Sequence, residues 1–292
     1  MPPDRLAGKH VLVIGGSKGI GRGVAEACLA AGARVTLTGS TQRSADAAVA
    51  AILAASSFPS QHPGSSEPVV SSSFLTGLGC DLLAPADEAV EQALDDLLER
   101  AGAAARAPID HVVLTAADGL AVCGVEELSA ERVRGVSRMR MLVPVLLGKA
   151  ALRHFLQALE KEGEAGKGHG RQDKSLTLTT GGIAHRPQPG WSLMSYVMAG
   201  TNALARNLAL DMAARSGGAV RVNAVEPGAV DTPLWGPDGD DERLRRLARF
   251  GDSLPTRRVA APADVAEAYV YLMRDWNATG EVVKTRGGAH LV

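Results

Sequence analysis

One segment near the start of the chain restricts the fold more than any other. Residues 11–21 read VLVIGGSKGIG: an apolar strand-like run, a glycine-rich turn and the start of a helical pattern at Arg22. Gly15, Gly19 and Gly21 let the backbone approach a pyrophosphate, and the helix directs its N-terminal amides and positive dipole end toward it. Three glycines can also form a mere tight turn. Because strand, turn, helix and a following strand occur in order, the sequence favours a nucleotide-binding loop.

Composition narrows the class of protein. The 292 residues suffice for one large α/β domain or two small ones, and 46% hydrophobic residues provide an ample core. A net charge of −1 without a long basic run gives no reason to expect nucleic acid or an anionic membrane as a partner. The sequence shows no signal-peptide pattern and no apolar stretch of membrane-spanning length. Cys28, Cys80 and Cys123 are far apart and form no C-x-x-C pair, which predicts a cytoplasmic protein without a metal site.

Strand-like and helical patterns alternate along the chain, as in a parallel sheet with helices on both faces. Strands are predicted near His10, Arg34, Leu78, Asp110, Ser175, Val220 and Glu281, and helices near 22–31, 43–55, 86–102, 129–160, 191–214, 241–250 and 263–274. We therefore predict a single α/β domain over residues 1–292, a Rossmann-type doubly wound parallel sheet. Polar segments near 56–73 and 160–174 interrupt the alternation and are predicted to be loop insertions.

The end of the second predicted strand bears on the choice of dinucleotide. An acidic residue there would bind the ribose 2′-hydroxyl of NAD and repel a 2′-phosphate. This chain instead has Ser40, Thr41 and Arg43, and Lys18 in the glycine loop offers a second cation. Arg43 could equally be a solvated residue of the first helical turn. Hydroxyls and cations suit a phosphate, so the predicted cofactor is NADP(H).

Further motifs carry a resemblance. Cys80-Asp81-Leu82 and the stretch VNAVEPGAVDTPLW from Val222, together with the glycine loop, resemble the short-chain dehydrogenase/reductase family, and the resemblance runs from Gly8 to the C-terminus apart from the two insertions. Arg286 stands where the family usually has an acidic residue. The resemblance implies that the aspartate contacts adenine and that the Pro-Gly stretch holds the nicotinamide and phosphates. The implied cofactor-binding residues are Gly15, Ser17, Lys18, Gly19, Ile20, Gly21, Ser40, Thr41, Arg43, Asp81, Leu82, Ala116, Pro227, Gly228, Val230 and Thr232.

The proton-transfer residues of the family are replaced. The family uses Asn, Ser, Tyr and Lys, with Tyr and Lys spaced Y-x-x-x-K on one helix so that both face the cofactor. Here Met194 and Met198 occupy the Tyr and Lys positions, Gly181 the Ser position and Arg140 the Asn position. No lysine lies between residues 174 and 284 to restore the motif in another register.

Four nearby side chains are candidates for the missing chemistry: Arg140, His185, Thr180 and Asp118. A histidine titrates near neutral pH and could donate a proton, and an arginine could anchor an anionic or carbonyl oxygen. Alternatively, His185 is an ordinary solvated loop residue. Arg140 lies on a helix that, by the resemblance, often packs at a subunit interface.

A substrate pocket and a lid are expected beside these residues. The pocket is predicted to be lined by Gly181, Met194, Met198, Trp191 and Trp235. The segment 232–258 resembles the family's mobile substrate lid, with Trp235, Leu244, Leu247 and Phe250 placed to cover the pocket. It could instead be an ordinary amphipathic surface helix, and Trp191 could belong to the core.

Three functions stay open at this point. The first is a reductase that transfers hydride to a carbonyl or iminium carbon of a small organic molecule in specialised metabolism. The second is a cyclase or isomerase, similar to fungal alkaloid-pathway reductase/Diels-Alderases, with NADP(H) structural or used in a coupled step. The third is a non-catalytic NADP(H)-sensing protein. By resemblance, a homo-dimer or homo-tetramer is expected to form through the helices at 129–160 and 191–214.

Overall fold

A seven-stranded parallel sheet forms the centre of the molecule, which confirms the predicted fold class. The computed structural model describes residues 4–55, 72–83, 86–164, 173–237 and 239–292. The strands are β1 His10–Ile14, β2 Arg34–Gly39, β3 Leu75–Gly79, β4 His111–Leu114, β5 Lys174–Thr179, β6 Val220–Pro227 and β7 Val282–Thr285. They pair in the order β3-β2-β1-β4-β5-β6-β7. The predicted insertions at 56–73 and 160–174 lie largely outside the described residues.

Helices cover both faces of the sheet. They are α1 Gly19–Ala30, α2 Gln42–Ala55, α3 Asp87–Ala105, α4 Ala130–Ser137, α5 Val143–Glu164, α6 Ser192–Ser216, α7 Asp241–Ser253 and α8 Pro262–Arg274. Successive strand residues point to opposite faces. Accordingly, Val11 and Val13 pack with α1, α2 and α8, whereas Leu12 and Ile14 pack with α3, α5 and α6. The sheet is buried on both sides, which explains the apolar strands.

The strand order reverses between β1 and β4. From β1 the chain moves outward to β2 and β3 and then returns to place β4 against the other edge of β1, with Val11 opposite both Val35 and His111. The connections therefore diverge at the carboxyl ends of β1 and β4. In open parallel sheets this divergence leaves a crevice in which ligands bind.

Two predicted boundaries were wrong. Strand β3 begins at Leu75, three residues before Leu78, so Cys80 and Asp81 follow its end and reach the edge with the crevice. The helix predicted at 129–160 is also not uniform, because a π-helical turn at Arg138–Leu142 separates α4 from α5. Such turns add a residue and redirect side chains, and they often occur at functional sites.

One helical segment is long and apolar enough, by length and composition alone, to cross a membrane. It runs continuously from Ala130 to Gly163, and no apolar stretch of that length was expected. Its apolar residues include Val143, Leu147 and Phe155, which are fully buried against the sheet. Packing on the sheet accounts for part of this composition, since 44% of the apolar window is buried.

Candidate active site

A cavity of about 820 Å³ lies at the carboxyl edge of the sheet. Its walls come from the glycine loop after β1, the segments that follow β2 to β7, the start of α6 and the segment around α7. All of the predicted cofactor-binding residues except Thr41 and Arg43 line it, and so do all five predicted substrate-pocket residues. The structure thus brings the two predicted sites together in one continuous space.

Packing within the protein requires glycine at two positions of the glycine loop. Gly15 has φ +88°, and a Cβ there would lie 2.4 Å from the Ala116 amide nitrogen. A Cβ on Gly21 would lie 2.3 Å from the Gly15 carbonyl oxygen and 2.3 Å from Thr115 Oγ1. Side chains at these two positions would therefore displace β4 or the loop whether or not a pyrophosphate is bound. From the sequence, these glycines were explained only by the approach of a pyrophosphate to the backbone, and that explanation was incomplete.

The N-terminus of α1 offers an anion site. Lys18, the residue that precedes the helix, makes no side-chain cap, and the first turn contains no acidic residue. Lys18 and Ser17 line the cavity, and the structure gives the Lys18 side chain no partner among the described residues. Uncapped amides, the helix dipole and an unpaired cation together suit a dinucleotide pyrophosphate. The residues present therefore fit a nicotinamide dinucleotide.

The residues expected near a 2′-phosphate are only partly assembled. Ser40 lines the cavity, as does Ser44, which was not predicted. The Thr41 hydroxyl instead accepts a hydrogen bond from the Ser44 amide at 3.2 Å and so caps α2. Arg43 is exposed on the first turn of α2 and does not reach the cavity lining.

The substrate end of the cavity is apolar. Met194 and Met198 are buried and pack with Leu193 and Val197 in a small cluster that Trp191 adjoins. Met198 Sδ lies 3.5 Å from the position that a Cβ on Gly181 would occupy. Thioether side chains therefore fill the places of the family's Tyr and Lys, and they carry no exchangeable proton.

Arg140 and Asp118 form an ion pair in the cavity wall. Arg140 Nε lies 2.8 Å from Asp118 Oδ1, and Nη2 donates to the carbonyl oxygens of Asp118 and Gly119 at 2.8 and 3.2 Å. Burial raises the pKa of the Asp118 carboxyl, although Arg140 opposes this shift. These contacts fasten the loop after β4 to the π-helical turn. They also engage two of the three guanidinium nitrogens, Nε and Nη2, that were expected to anchor a substrate oxygen.

Thr180 and His185 both contact groups of the protein that the sequence did not indicate. Thr180 lines the cavity, but its hydroxyl donates to the Met198 carbonyl oxygen at 2.9 Å, so its proton is already engaged. His185 does not line the cavity. Its Nδ1 lies 2.7 Å from Oε2 of Glu226, which is fully buried. The sequence could not indicate these partners, because they lie 18 and 41 residues away along the chain.

A buried charge network was not predicted. Glu226 Oε2 accepts a hydrogen bond from Asn202 Nδ2 at 2.9 Å, and Oε1 lies 3.0 Å from Arg286 Nη1. Arg286 lines the cavity, and its buried Nε has no hydrogen-bond partner in the described part of the chain. One feature of the sequence could have indicated this network: Arg286 stands where the family usually has an acidic residue. From the sequence it was not connected with Glu226, the glutamate just before the Pro-Gly stretch, which is its partner in the structure.

The predicted lid is partly in place. Trp235 and Phe250 both line the cavity with ring centroids 5.4 Å apart, and Trp235 Nε1 donates to the Val230 carbonyl oxygen at 3.0 Å. Leu244 is half exposed and Leu247 is buried, and neither lines the cavity. Lining residues that the sequence did not single out include Arg186, Leu234, Ser253, Leu254, Ala289 and His290.

Comparisons with known proteins agree with this architecture. A family model described as an SDR-like Rossmann domain matches residues 3–292. The short-chain dehydrogenase/reductase malC of Malbranchea aurantiaca is 35% identical over 285 residues, 98% of this chain and 96% of that protein. ATR9 of Stachybotrys chlorohalonatus, of the same description, is 31% identical over 287 residues, 98% of each chain.

A solved structure gives the same result. The structure of the M. aurantiaca protein, described as a MalC reductase/Diels-Alderase, superimposes with a TM-score of 0.78 at 34% identity and covers 98% of this chain and 97% of that one. This degree of similarity extends over nearly the whole length and is not confined to the glycine loop. The chain belongs to the short-chain dehydrogenase/reductase family of oxidoreductases, whose Rossmann fold implies a nicotinamide cofactor.

Proposed function

We propose that the protein is an NADP(H)-dependent reductase that delivers hydride to a carbonyl or iminium carbon of a small organic substrate in specialised metabolism. The observation that carries the proposal is the single cavity that joins the anion site of the glycine loop to the apolar chamber at Met194 and Met198. Hydride transfer requires cofactor and substrate in one water-poor space, held in reacting geometry. A cytoplasmic location and a homo-dimer or homo-tetramer belong to the same proposal.

Two observations favour an iminium substrate over a ketone: the Thr180 hydroxyl already donates a hydrogen bond within the protein, and Arg140 is already paired with Asp118. The bound cofactor would supply the hydride. A ketone would also need a proton for its oxygen, but Thr180 already donates to Met198, and Arg140 is paired with Asp118. An iminium carbon already bears positive charge and yields a neutral amine without a proton donor. The role of this chain is therefore to bind, orient and exclude water.

The preference for NADP(H) rests on charge. Residues 40–45, directly after β2, include no carboxylate, and Ser40 and Lys18 line the cavity. Arg43 is exposed and has no partner among the described residues, so its side chain is free to turn toward a 2′-phosphate. A phosphate is stabilised by such cations, whereas the 2′-hydroxyl of NAD gains little from them.

A cyclase activity is the second candidate. The chamber is walled by Met194, Met198 and Trp191, and this shape suits an apolar molecule held in a folded conformation. A relative with 34% identity is described as a reductase/Diels-Alderase. In this version reduction would generate the intermediate that then cyclises in the same chamber.

The first test is a titration with NADPH and with NADH, followed by nicotinamide fluorescence. We expect selective binding of NADPH. Consumption of NADPH is then compared for two substrates of matched shape, N-methyl-3,4-dihydroisoquinolinium and α-tetralone. Faster reduction of the iminium supports the proposal. Failure to bind either cofactor would overturn both the reductase and the coupled cyclase and leave only a cyclase that works without a cofactor. Reduction of the ketone alone would reject the iminium preference.

A further inference from the structure

The network around Glu226 places an arginine at the cavity surface with spare donors. The Arg286 side chain is only 5% exposed, and Glu226 behind it is fully buried. Arg286 Nη1 lies 3.0 Å from Oε1 of the carboxylate. Neither the buried Nε nor the buried Nη1 has an aligned hydrogen-bond acceptor in the described part of the chain, and no hydrogen bond from Nη2 is found there. A buried guanidinium with unused donors in a cavity wall lacks an acceptor that a ligand could provide.

A second arginine belongs to the same corner of the cavity. The backbone amide of Arg186 donates to the Gly182 carbonyl oxygen at 3.1 Å, and a Cβ on Gly182 would lie 3.0 Å from Arg286 Cδ. The turn that carries Arg186 thus rests directly on Arg286. Both side chains line the cavity, and the structure gives the Arg186 side chain no partner among the described residues.

The turn that carries Arg186 is held in place by contacts with the buried Glu226 carboxylate. His185, next to Arg186, contacts Glu226 through Nδ1 at 2.7 Å, and Asn202 in α6 donates to the same carboxylate oxygen at 2.9 Å. The buried carboxylate therefore fixes both the turn and Arg286. Arg286 is therefore preorganised, since it need not move or lose contacts when a ligand arrives.

We propose that Arg186 and Arg286 form a recognition site for an anionic oxygen of the substrate, either a carboxylate or an ionised enol or phenol. The opposing charges do not cancel this site. Glu226 has no exposed surface behind Arg286. Two aspartates are among the described lining residues: Asp118 is paired with Arg140, and Asp81 follows β3 at the edge of the sheet opposite β7. The substrate would then place its anionic oxygen here and its apolar body over Met194 and Met198. The inference rests on the proposed function only in taking this cavity as the substrate site.

The test uses two probes that differ in charge and are matched in size: naphthalene-2-carboxylate and 2-naphthylmethanol. Their affinities are measured by calorimetry on the full-length protein, with and without NADP⁺. Hydrogen bonds to charged groups are worth more than neutral ones, so we expect the carboxylate to bind about tenfold more tightly than the alcohol. Since neither probe is reduced, the result does not depend on turnover.

Variants identify where the carboxylate binds. Arg186→Gln removes one cation from a half-buried surface position, and the double variant Glu226→Gln/Arg286→Met removes the other cation without leaving a buried charge unpaired. Each should abolish most of the tenfold preference. Lys18→Gln is the control for binding in the pyrophosphate cradle.

Two outcomes overturn the proposal: equal affinity for the two probes in the parent protein, or a preference that survives in both arginine variants, whether or not Lys18→Gln removes it. A preference that depends on the arginines in the absence of NADP⁺ supports the site even if no cofactor binds. In that case the proposed reductase fails while the anion site stands, so the two failures are distinguishable.

Discussion

Replacing Arg286 by methionine should destabilise the fold strongly, because it leaves the Glu226 carboxylate buried without its cation. Glu226 has no exposed surface, and the Arg286 side chain is 5% exposed. Removing one partner of a buried pair costs about 3–5 kcal/mol. Asn202 and His185 would still contact the carboxylate, so we expect the lower part of this range.

Thermal unfolding measures the effect. At about 2 °C for each kcal/mol in a chain of this size, the melting temperature should fall by about 6–8 °C. The double variant Glu226→Gln/Arg286→Met removes both charges and should recover most of that loss, to within about 1–2 kcal/mol of the parent. Additive losses from the two substitutions would refute the reasoning, because they would mean that the two side chains do not interact energetically.

Three further predictions concern other parts of the molecule. Arg43→Ala should weaken NADPH binding about tenfold and leave NADH binding nearly unchanged in a fluorescence titration; equal losses would remove Arg43 from the 2′-phosphate site. Gly21→Ala should prevent stable folding, because its Cβ would lie 2.3 Å from the Gly15 carbonyl oxygen; soluble yield and circular dichroism measure the effect. Gly135→Ala is the control, since a Cβ there meets open space in α4, and it should be neutral or stabilising. Burial lowers the pKa of His111 to about 4, and the unfolded chain therefore binds more protons between pH 6.5 and pH 4. Stability should thus fall as the pH falls through that window, by about 3 kcal/mol at pH 4 for this one group; urea unfolding across the window should show a flatter dependence in His111→Gln, and an unchanged slope would contradict the assignment.

The parts of the fold that follow from local pattern were predictable from sequence. Strand β1 and helix α1 are encoded by a continuous apolar run, a glycine turn and an amphipathic helix, and the same kind of pattern located most other elements. The exceptions depend on tertiary context. Nothing in the sequence around Arg140 distinguishes a π-helical turn from a regular one, yet this turn decides where the guanidinium lies.

The chemistry of the site was harder to predict than its location. The residues at the cavity were mostly identified, since they follow strand ends or occupy positions of a known motif. Which hydrogen-bond partner each side chain takes was not identifiable, because Thr180 meets Met198 and His185 meets Glu226 only after α6 and β6 have packed on β5. Candidate acids named from sequence were therefore already engaged in the folded protein.

The close packing of Gly15 against Ala116 has an evolutionary consequence. Selection for folding alone is enough to preserve these glycines, because any larger residue would collide with the backbone at β4. A lineage that abandoned redox chemistry and kept the scaffold would still retain the glycine pattern. In this chain the glycine pattern reflects how β1 packs against the segment after β4. Loss of cofactor use should therefore first become visible at positions that this packing does not constrain, such as Lys18 and Arg43.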